Sequence, residues 1–355
     1  MSVFEAADFD RHETVAFFND KATGLRAIIA IHSTALGPAC GGTRMYSYAS
    51  GDEALTDVLR LSRGMSYKSV IAGLPLGGGK AVILGDPAKD KTEARLLAYA
   101  DAVNTLGGRY ITAMDVGITP TDLPVIARRT KHVAGYDQPG KTGGDSGPLT
   151  ALGVFVGLKA AVKHKLGAGS TKGLTVAIQG LGKVGMGLAQ RLHEEGAKLV
   201  VSDVNTDAVR RAADRFGARE VSASEIVTTE CDVFSPNALG SVLDANSIPN
   251  IRAKVIAGGA NNQLAHDGDG EALKQRGILY APDYVINGGG IIRVAGQIFG
   301  WSDEDIERRV LAIADTLAQI FRRSDTANAP TNAIADRIAE ERIAAANSPP
   351  AKAAE

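Results

Sequence analysis

The sequence is poor in the residues that build disulfide scaffolds, metal clusters and membrane spans. It has 2 cysteines, 1 tryptophan and 6 histidines among 355 residues, and aromatic side chains make up only 5%. Cys40 and Cys231 lie far apart with no CxxC pair, so neither a disulfide framework nor a zinc knuckle is expected. The histidines form no HExxH pair, and no bound metal is expected. No run approaches the ~20 consecutive apolar residues of a membrane span, and residues 1–10 lack the basic and apolar regions of a leader. A cytoplasmic location without a membrane partner follows as the expectation. Lys+Arg 39 against Asp+Glu 40 leaves a net charge of −1, so there is no basic field with which to neutralise nucleic-acid phosphates.

Glycine is what the chain has in excess. There are 41, where the usual share of ~7% would give about 25. They fall in clusters rather than repeats, which marks tight backbone at ligand sites. With 45% hydrophobic and 22% charged residues the chain reads as an ordinary globular protein, and its length is more than twice the usual ~150 of one domain.

The first part alternates strand and helix patterns. Residues 25–31 are apolar and β-branched, 52–65 have helical spacing with Asp52 as a possible N-cap, 81–84 form a short apolar run, 92–103 are again helical, and 110–113 read as a strand. Residues 138–148 have the composition of a linker or hinge. Beyond it, apolar runs at 174–178, 199–201, 233–234, 254–257 and 278–281 recur every 20 to 35 residues, a rhythm of crossovers and a parallel, doubly wound sheet. Residues 303–323 and 331–343 read as two amphipathic helices.

The run Gly180-Leu181-Gly182-Lys183-Val184-Gly185 follows an apolar strand pattern and precedes a helical one. That is the setting of a dinucleotide fingerprint, in which the first glycine makes the turn, the second admits the pyrophosphate and the third lets the helix pack. Asp203 ends the next strand pattern 18 residues after Gly185, near the ~20-residue offset of a ribose-binding carboxylate. An anion there repels a 2′-phosphate, so NAD is expected rather than NADP. By contrast, Gly77-Gly78-Gly79-Lys80 only imitates a P-loop, because Leu74 and Ala81 replace the glycine and hydroxyl that motif needs.

Lys68 and Lys80 flank a glycine-rich segment broken by Pro75, and Asp115 follows a strand pattern. Two lysines facing one pocket disfavour each other's protonation, so one titrates low while the other holds an anion. Lowering a lysine from ~10.4 to about 8 needs ~3 kcal/mol of environmental bias. A carboxylate at a strand's C-terminal edge stands where α/β active sites usually lie.

The blocks at 37–45, 65–68, 75–81, 115–117 and 258–262, in that order, resemble the amino-acid dehydrogenases, specifically the leucine/phenylalanine/valine dehydrogenase branch related to glutamate dehydrogenase, and most of all its leucine members. The resemblance implies an α/β fold of two domains with a cleft between them. A mixed-sheet substrate-binding and oligomerisation domain would span residues 1–140, rejoined by the C-terminal helix at 331–355, and a Rossmann NAD-binding domain 141–330. It implies a homo-oligomer, from dimer to octamer, and NAD-dependent, reversible oxidative deamination of an L-amino acid, with motion between the domains.

In that reading Lys68, Asn262 and the backbone at Gly41 and Gly42 hold the substrate carboxylate, and Met65 lies in the same site. Lys80 activates water, and Asp115 shuttles protons. Thr150 and Asn261 face the coenzyme beside Gly180, Gly182, Lys183, Val184, Gly185 and Asp203. Cys40, Ala113, Ile291 and Val294 surround the substrate side chain. Glutamate-specific relatives carry a lysine matching Cys40, which is absent here, and Ala113 with Val294 is like the leucine branch, so leucine, valine or isoleucine is expected. Cys40 itself departs from that branch's usual leucine, leaving phenylalanine as the alternative. A non-catalytic NAD sensor and a 2-hydroxy-acid dehydrogenase are the competing classes; the second lacks its His/Arg constellation here.

Overall fold

The computed structural model describes residues 2–138, 145–238 and 240–347, so positions 139–144 of the expected linker lie outside the described residues. The chain forms two compact units. The first contains the described residues up to 138 together with 294–300 and 339–347, and the second contains 145–293 with 301–338.

In the first unit the apolar run at 25–31 becomes β2 (Leu25–Ser33), buried at all but one residue, as expected of a strand covered on both faces. The edge strand β1 (Thr14–Asp20) pairs antiparallel with it, and β4 (Gly77–Leu84) pairs antiparallel on its other side. Next come β3 (Ala39–Tyr46), parallel to β4, and β5 (Tyr110–Met114), parallel to β3. The mixed sheet has the order β1-β2-β4-β3-β5. Because side chains alternate along each strand, the sheet has two cores. Ile28, Ala30 and Val82 meet Ala54, Val58 and Leu59 of α1 (Gly51–Ile71), while Ile29, Ile31 and Ile83 meet Leu96, Tyr99 and Val103 of α2 (Glu93–Thr105). The short α3 (Leu123–Ala127) closes the second core.

α1 is longer than its pattern suggests and starts on a different cap. The side chain of Ser50, not Asp52, accepts the N–H of Glu53. Asp52 sits instead in the first turn, where its charge favours the helix dipole. α1 also lies very close to the sheet: a Cβ on Gly78 would be 1.9 Å from the Ser66 nitrogen. Gly78→Ala is therefore expected to cost about 3 kcal/mol of stability, read as a lower denaturation midpoint. An unchanged midpoint would show that the approach of helix to strand is not required.

The second unit opens with α4 (Gly147–Leu166), which incorporates the end of the expected linker. Six parallel strands follow: β6 (Thr175–Gln179), β7 (Lys198–Ser202), β8 (Arg219–Glu220), β9 (Val233–Pro236), β10 (Val255–Ile256) and β11 (Leu279–Tyr280), in the order β11-β10-β9-β6-β7-β8. Crossover helices α5 (Lys183–Glu194), α6 (Thr206–Phe216) and α7 (Asp269–Gln275) make this sheet doubly wound. Then come α8 (Asp283–Ile286), α9 (Gly289–Phe299), α10 (Asp303–Leu311), α11 (Ile313–Ala327) and α12 (Thr331–Asn347).

Two details differ from the sequence pattern. The single helix expected over 303–323 is two helices meeting at Ala312, across which the apolar spacing continues, so periodicity does not reveal the break. α12 does not belong wholly to the first unit. Its residues up to 338 pack with the second, where Asp336 accepts the Tyr284 hydroxyl, whereas Glu340 and Arg342 bond to Tyr67 and to the last carbonyls of α1. Among the described residues, no helix is long and apolar enough to cross a membrane.

Candidate active site

Lys80 lies inside β4 rather than in a loop, and it is 6% exposed. Its Nζ stands 2.5 Å from Oδ2 of Asp115, the residue directly after β5. The turn that presents Asp115 is pinned by two hydrogen bonds. The Met45 N–H donates to the Val116 carbonyl at 2.8 Å, and Lys91 Nζ donates to the Gly117 carbonyl at 3.0 Å. Gly117 has φ +80°, and a Cβ there would be 2.2 Å from the Met45 carbonyl oxygen, so glycine is required on both counts.

The electrostatics separate the pair. Burial pushes the Lys80 ammonium below its usual pKa and the nearby Arg44 cation adds to this, while the Asp115 charge opposes it. Burial works against the Asp115 carboxylate too, but the Lys80 and Arg44 cations outweigh it and hold its pKa below the usual range. An ionised carboxylate thus sits against an amine whose neutral form is unusually accessible, the combination that proton transfer near neutral pH demands.

The other expected first-unit residues lie on β3, α1 and β5 and at position 294. Cys40, Gly41 and Gly42 lie on β3, next to β4. A Cβ on Gly41 would be 1.8 Å from the Gly79 carbonyl oxygen and 3.3 Å from Met65 Cγ, and one on Gly42 would be 2.9 Å from Asp115 Cβ. The two glycines are thus the floor that lets α1 and the Asp115 turn close in. The Tyr110 hydroxyl donates to the Gly41 carbonyl at 2.7 Å, spending that acceptor. Lys68, half-buried, lies in the last turn of α1, which packs on β4. Cys40 is fully buried, and its thiol pKa is pushed by burial up to about 12, so it packs as an apolar side chain and is not a nucleophile. Ala113 and Val294 both border Gly135, at 3.8 and 3.9 Å from where its Cβ would stand.

Asn262 and Ile291 belong to the second unit. Asn262 is exposed and has φ +51°, a left-handed conformation that asparagine tolerates. Its neighbour Asn261 is steadied by Asn287, whose Nδ2 donates to Asn261 Oδ1 at 2.8 Å. Ile291 is buried in α9.

The three glycines of the 180–185 turn differ in what surrounds them. Gly180 has φ +92°, and a Cβ there would be 2.7 Å from the Ala238 nitrogen. A Cβ on Gly185 would be 1.9 Å from the Gly180 carbonyl oxygen, so this glycine allows α5 to pack on its strand. Beside Gly182, in contrast, the space is open, and no side chain caps α5. Val184 packs against Gly259, and Lys183, 74% exposed, pairs with Asp145 at 2.9 Å. Thr150 is in α4 rather than a loop; its hydroxyl donates to the Ser146 carbonyl at 2.9 Å and lies 3.5 Å from a Cβ built on Gly290. The Asp203 carboxylate accepts the N–H groups of Leu181 and Asn205 at 2.5 and 2.7 Å. A carboxylate has about four acceptor sites, so two remain for ribose hydroxyls. Open backbone beside Gly182, an uncapped helix end and a tethered carboxylate suit a dinucleotide.

Arg44, Asp57 and Tyr48 carry no role in the sequence reading, yet they complete the polar cluster. Arg44 Nε donates to Asp115 Oδ2 at 3.3 Å, its Nη1 donates to both Asp57 oxygens at 3.0 and 3.2 Å, and Tyr48 donates to Asp57 at 2.5 Å. The available signal was an arginine inside the glycine-rich block at 37–45.

Residues 12–132 match the Glu/Leu/Phe/Val dehydrogenase dimerisation domain, and 144–212 with 203–349 match Glutamate/Leucine/Phenylalanine/Valine dehydrogenase. The chain belongs to this family. It is 48% identical to leucine dehydrogenase of Geobacillus stearothermophilus, over 97% of this chain and 94% of that one, and 48% identical to valine dehydrogenase of Streptomyces virginiae, over 95% of each. The crystal structure of L-tryptophan dehydrogenase from Nostoc punctiforme superposes with a TM-score of 0.84 at 44% identity, covering 95% of this chain and 97% of that one. The chain is thus an amino-acid dehydrogenase of the leucine/valine branch, an oxidoreductase acting on CH–NH2 donors.

Proposed function

We propose that the chain catalyses the reversible oxidative deamination of an apolar L-amino acid, with leucine, valine and isoleucine preferred, to the 2-oxo acid and ammonia with NAD as oxidant. The observation that carries this reading is the buried Lys80–Asp115 pair at 2.5 Å. Lys68, with Asn262 and the backbone at Gly41 and Gly42, binds the substrate carboxylate. Neutral Lys80 takes a proton from the water that attacks the imino carbon, and Asp115 moves protons to and from the substrate nitrogen. NAD, when bound, supplies the acceptor for the hydride leaving the α-carbon. Asp203 favours NAD over NADP because a 2′-phosphate would meet its charge at the end of β7.

The sign of the pH dependence follows from Lys80. Its neutral form does the work and its pKa lies below 10.5, so deamination is lost as pH falls through that lowered value.

In this reading Cys40 and Ala113, both buried and uncharged, line the side-chain pocket with Val294, and a γ-carboxylate placed against them would cost several kcal/mol, on the order of other unpaired buried charges. The match to a dimerisation domain supports a homo-oligomer, which we place in the cytoplasm. The test is a panel of leucine, valine, isoleucine, phenylalanine, tryptophan and glutamate with NAD. We expect kcat/KM for leucine to exceed that for glutamate by at least ~10³. A glutamate rate equal to leucine's would overturn the substrate class, and no NADH from any L-amino acid would overturn the reaction.

A further inference from the structure

We infer that Arg44, clamped by Asp57, is a positioning residue that orients Asp115 and tunes when Lys80 gives up its proton. This rests on the reading of Lys80 as base and Asp115 as proton carrier given above.

The geometry is a chain of alternating charge. Tyr48 donates to Asp57, both oxygens of Asp57 accept from Arg44 Nη1, and Arg44 Nε reaches Oδ2 of Asp115, the same oxygen that Lys80 approaches. Each link comes from a different element: Tyr48 from the segment after β3, Asp57 from α1, Arg44 from β3 itself, Lys80 from β4 and Asp115 from the turn after β5. Arg44 and Asp57 are about three-quarters shielded, with side chains 23% and 26% exposed. A planar guanidinium presents its donors in a fixed fork, so one arginine braces two carboxylates in a set mutual orientation that the rotatable donors of a lysine do not impose.

Two consequences follow. Both cations engage Oδ2, which fixes the carboxylate's rotation. The permanent charge of Arg44 also opposes a second ammonium at Lys80, whereas the Asp57 charge favours one. The other titratable groups to consider are the Cys40 thiol on β3, close enough to Lys80 to feel its charge, and Lys68 on α1. Removing Arg44 and removing Asp57 should therefore move the protonation of Lys80 in opposite directions, which a merely structural pair would not do.

The experiment measures kcat against pH for amino-acid oxidation by the full-length wild type and by Arg44→Gln, Arg44→Lys and Asp57→Asn, with a thermal melt of each variant as the check that both units are folded. For Arg44→Gln we expect kcat to drop about 10- to 100-fold, KM for the amino acid to change less than about threefold, and the acid limb to move up by about one pH unit. Arg44→Lys should keep the limb near its wild-type position while kcat remains reduced, because charge is kept and the fork is lost. Asp57→Asn should move the limb down. Should Arg44→Gln fail to fold, Asp57→Asn decides alone: a limb that stays or moves up overturns the proposal. Limbs of Arg44→Gln and Asp57→Asn that move together, or an Arg44→Gln limb that stays in place, overturn it as well. An inactive wild type would instead refute the dehydrogenase reading of the site, so the two failures are distinguishable.

Discussion

Asp115→Asn is expected to lower turnover about 10²- to 10⁴-fold, the range for removing a positioned general acid or base, and to leave NAD affinity unchanged. The carboxylate is held by Lys80 at 2.5 Å and Arg44 at 3.3 Å, so the amide fills the same space but neither carries the charge nor exchanges a proton. The variant also leaves two cations facing a neutral group. Lys80 should then deprotonate even more readily, because the larger of the two negative charges that oppose its loss of a proton, the other being Asp57, has gone. The variant should therefore fail in proton delivery to nitrogen, not in the availability of a neutral amine. Steady-state kinetics with leucine, read beside calorimetric titration of NAD, separates the effects. Turnover within about threefold of wild type would remove Asp115 from the chemistry.

Gly182→Val is expected to weaken NAD binding by at least about 100-fold while the protein folds normally. The space beside Gly182 is open, so a Cβ meets no protein atom within 4 Å and the side chain occupies the ground the pyrophosphate needs. Gly185→Val is the contrasting case. Its Cβ would be 1.9 Å from the Gly180 carbonyl oxygen, so α5 must leave its strand and the expected loss is of the folded second unit. Calorimetry and a thermal melt on both variants test this. Unaltered NAD affinity in Gly182→Val would mean that the coenzyme does not approach this turn.

The second unit was legible because its local signals agree with its fold. Apolar runs mark β6, β7 and β9 to β11 within a residue or two, and a parallel sheet buried on both faces allows little else. β8, two exposed residues at the sheet's edge, left no such mark. The first unit was harder for a physical reason. β3 and the start of β4 are rich in glycine, a composition that reads as loop. They are strands because neighbouring elements come so close that nothing larger fits, as at Gly78 beneath Ser66 and Gly41 against Gly79. That constraint is tertiary, and no window of sequence shows it.

The same holds for the site. Lys80 and Asp115 could be nominated from their glycine-rich setting and strand-end position, and the resemblance supplied their partners. Arg44 could not be nominated, because its role depends on Asp57, thirteen residues away on a helix, and on Asp115, which only parallel pairing of β3 with β5 brings near. The Ser50 cap was missed because Asp52 is as good a cap by type, and only backbone geometry chooses between them.

The titration of Lys80 itself tests the account most directly. Lysine labelled with nitrogen-15 at Nζ, with the Lys80 signal assigned by its loss in Lys80→Arg, should show one ammonium that deprotonates below the ordinary lysine value of 10.5 while Asp115 stays ionised. A Lys80 signal that titrates at or above that value, together with the surface lysines, would contradict the account.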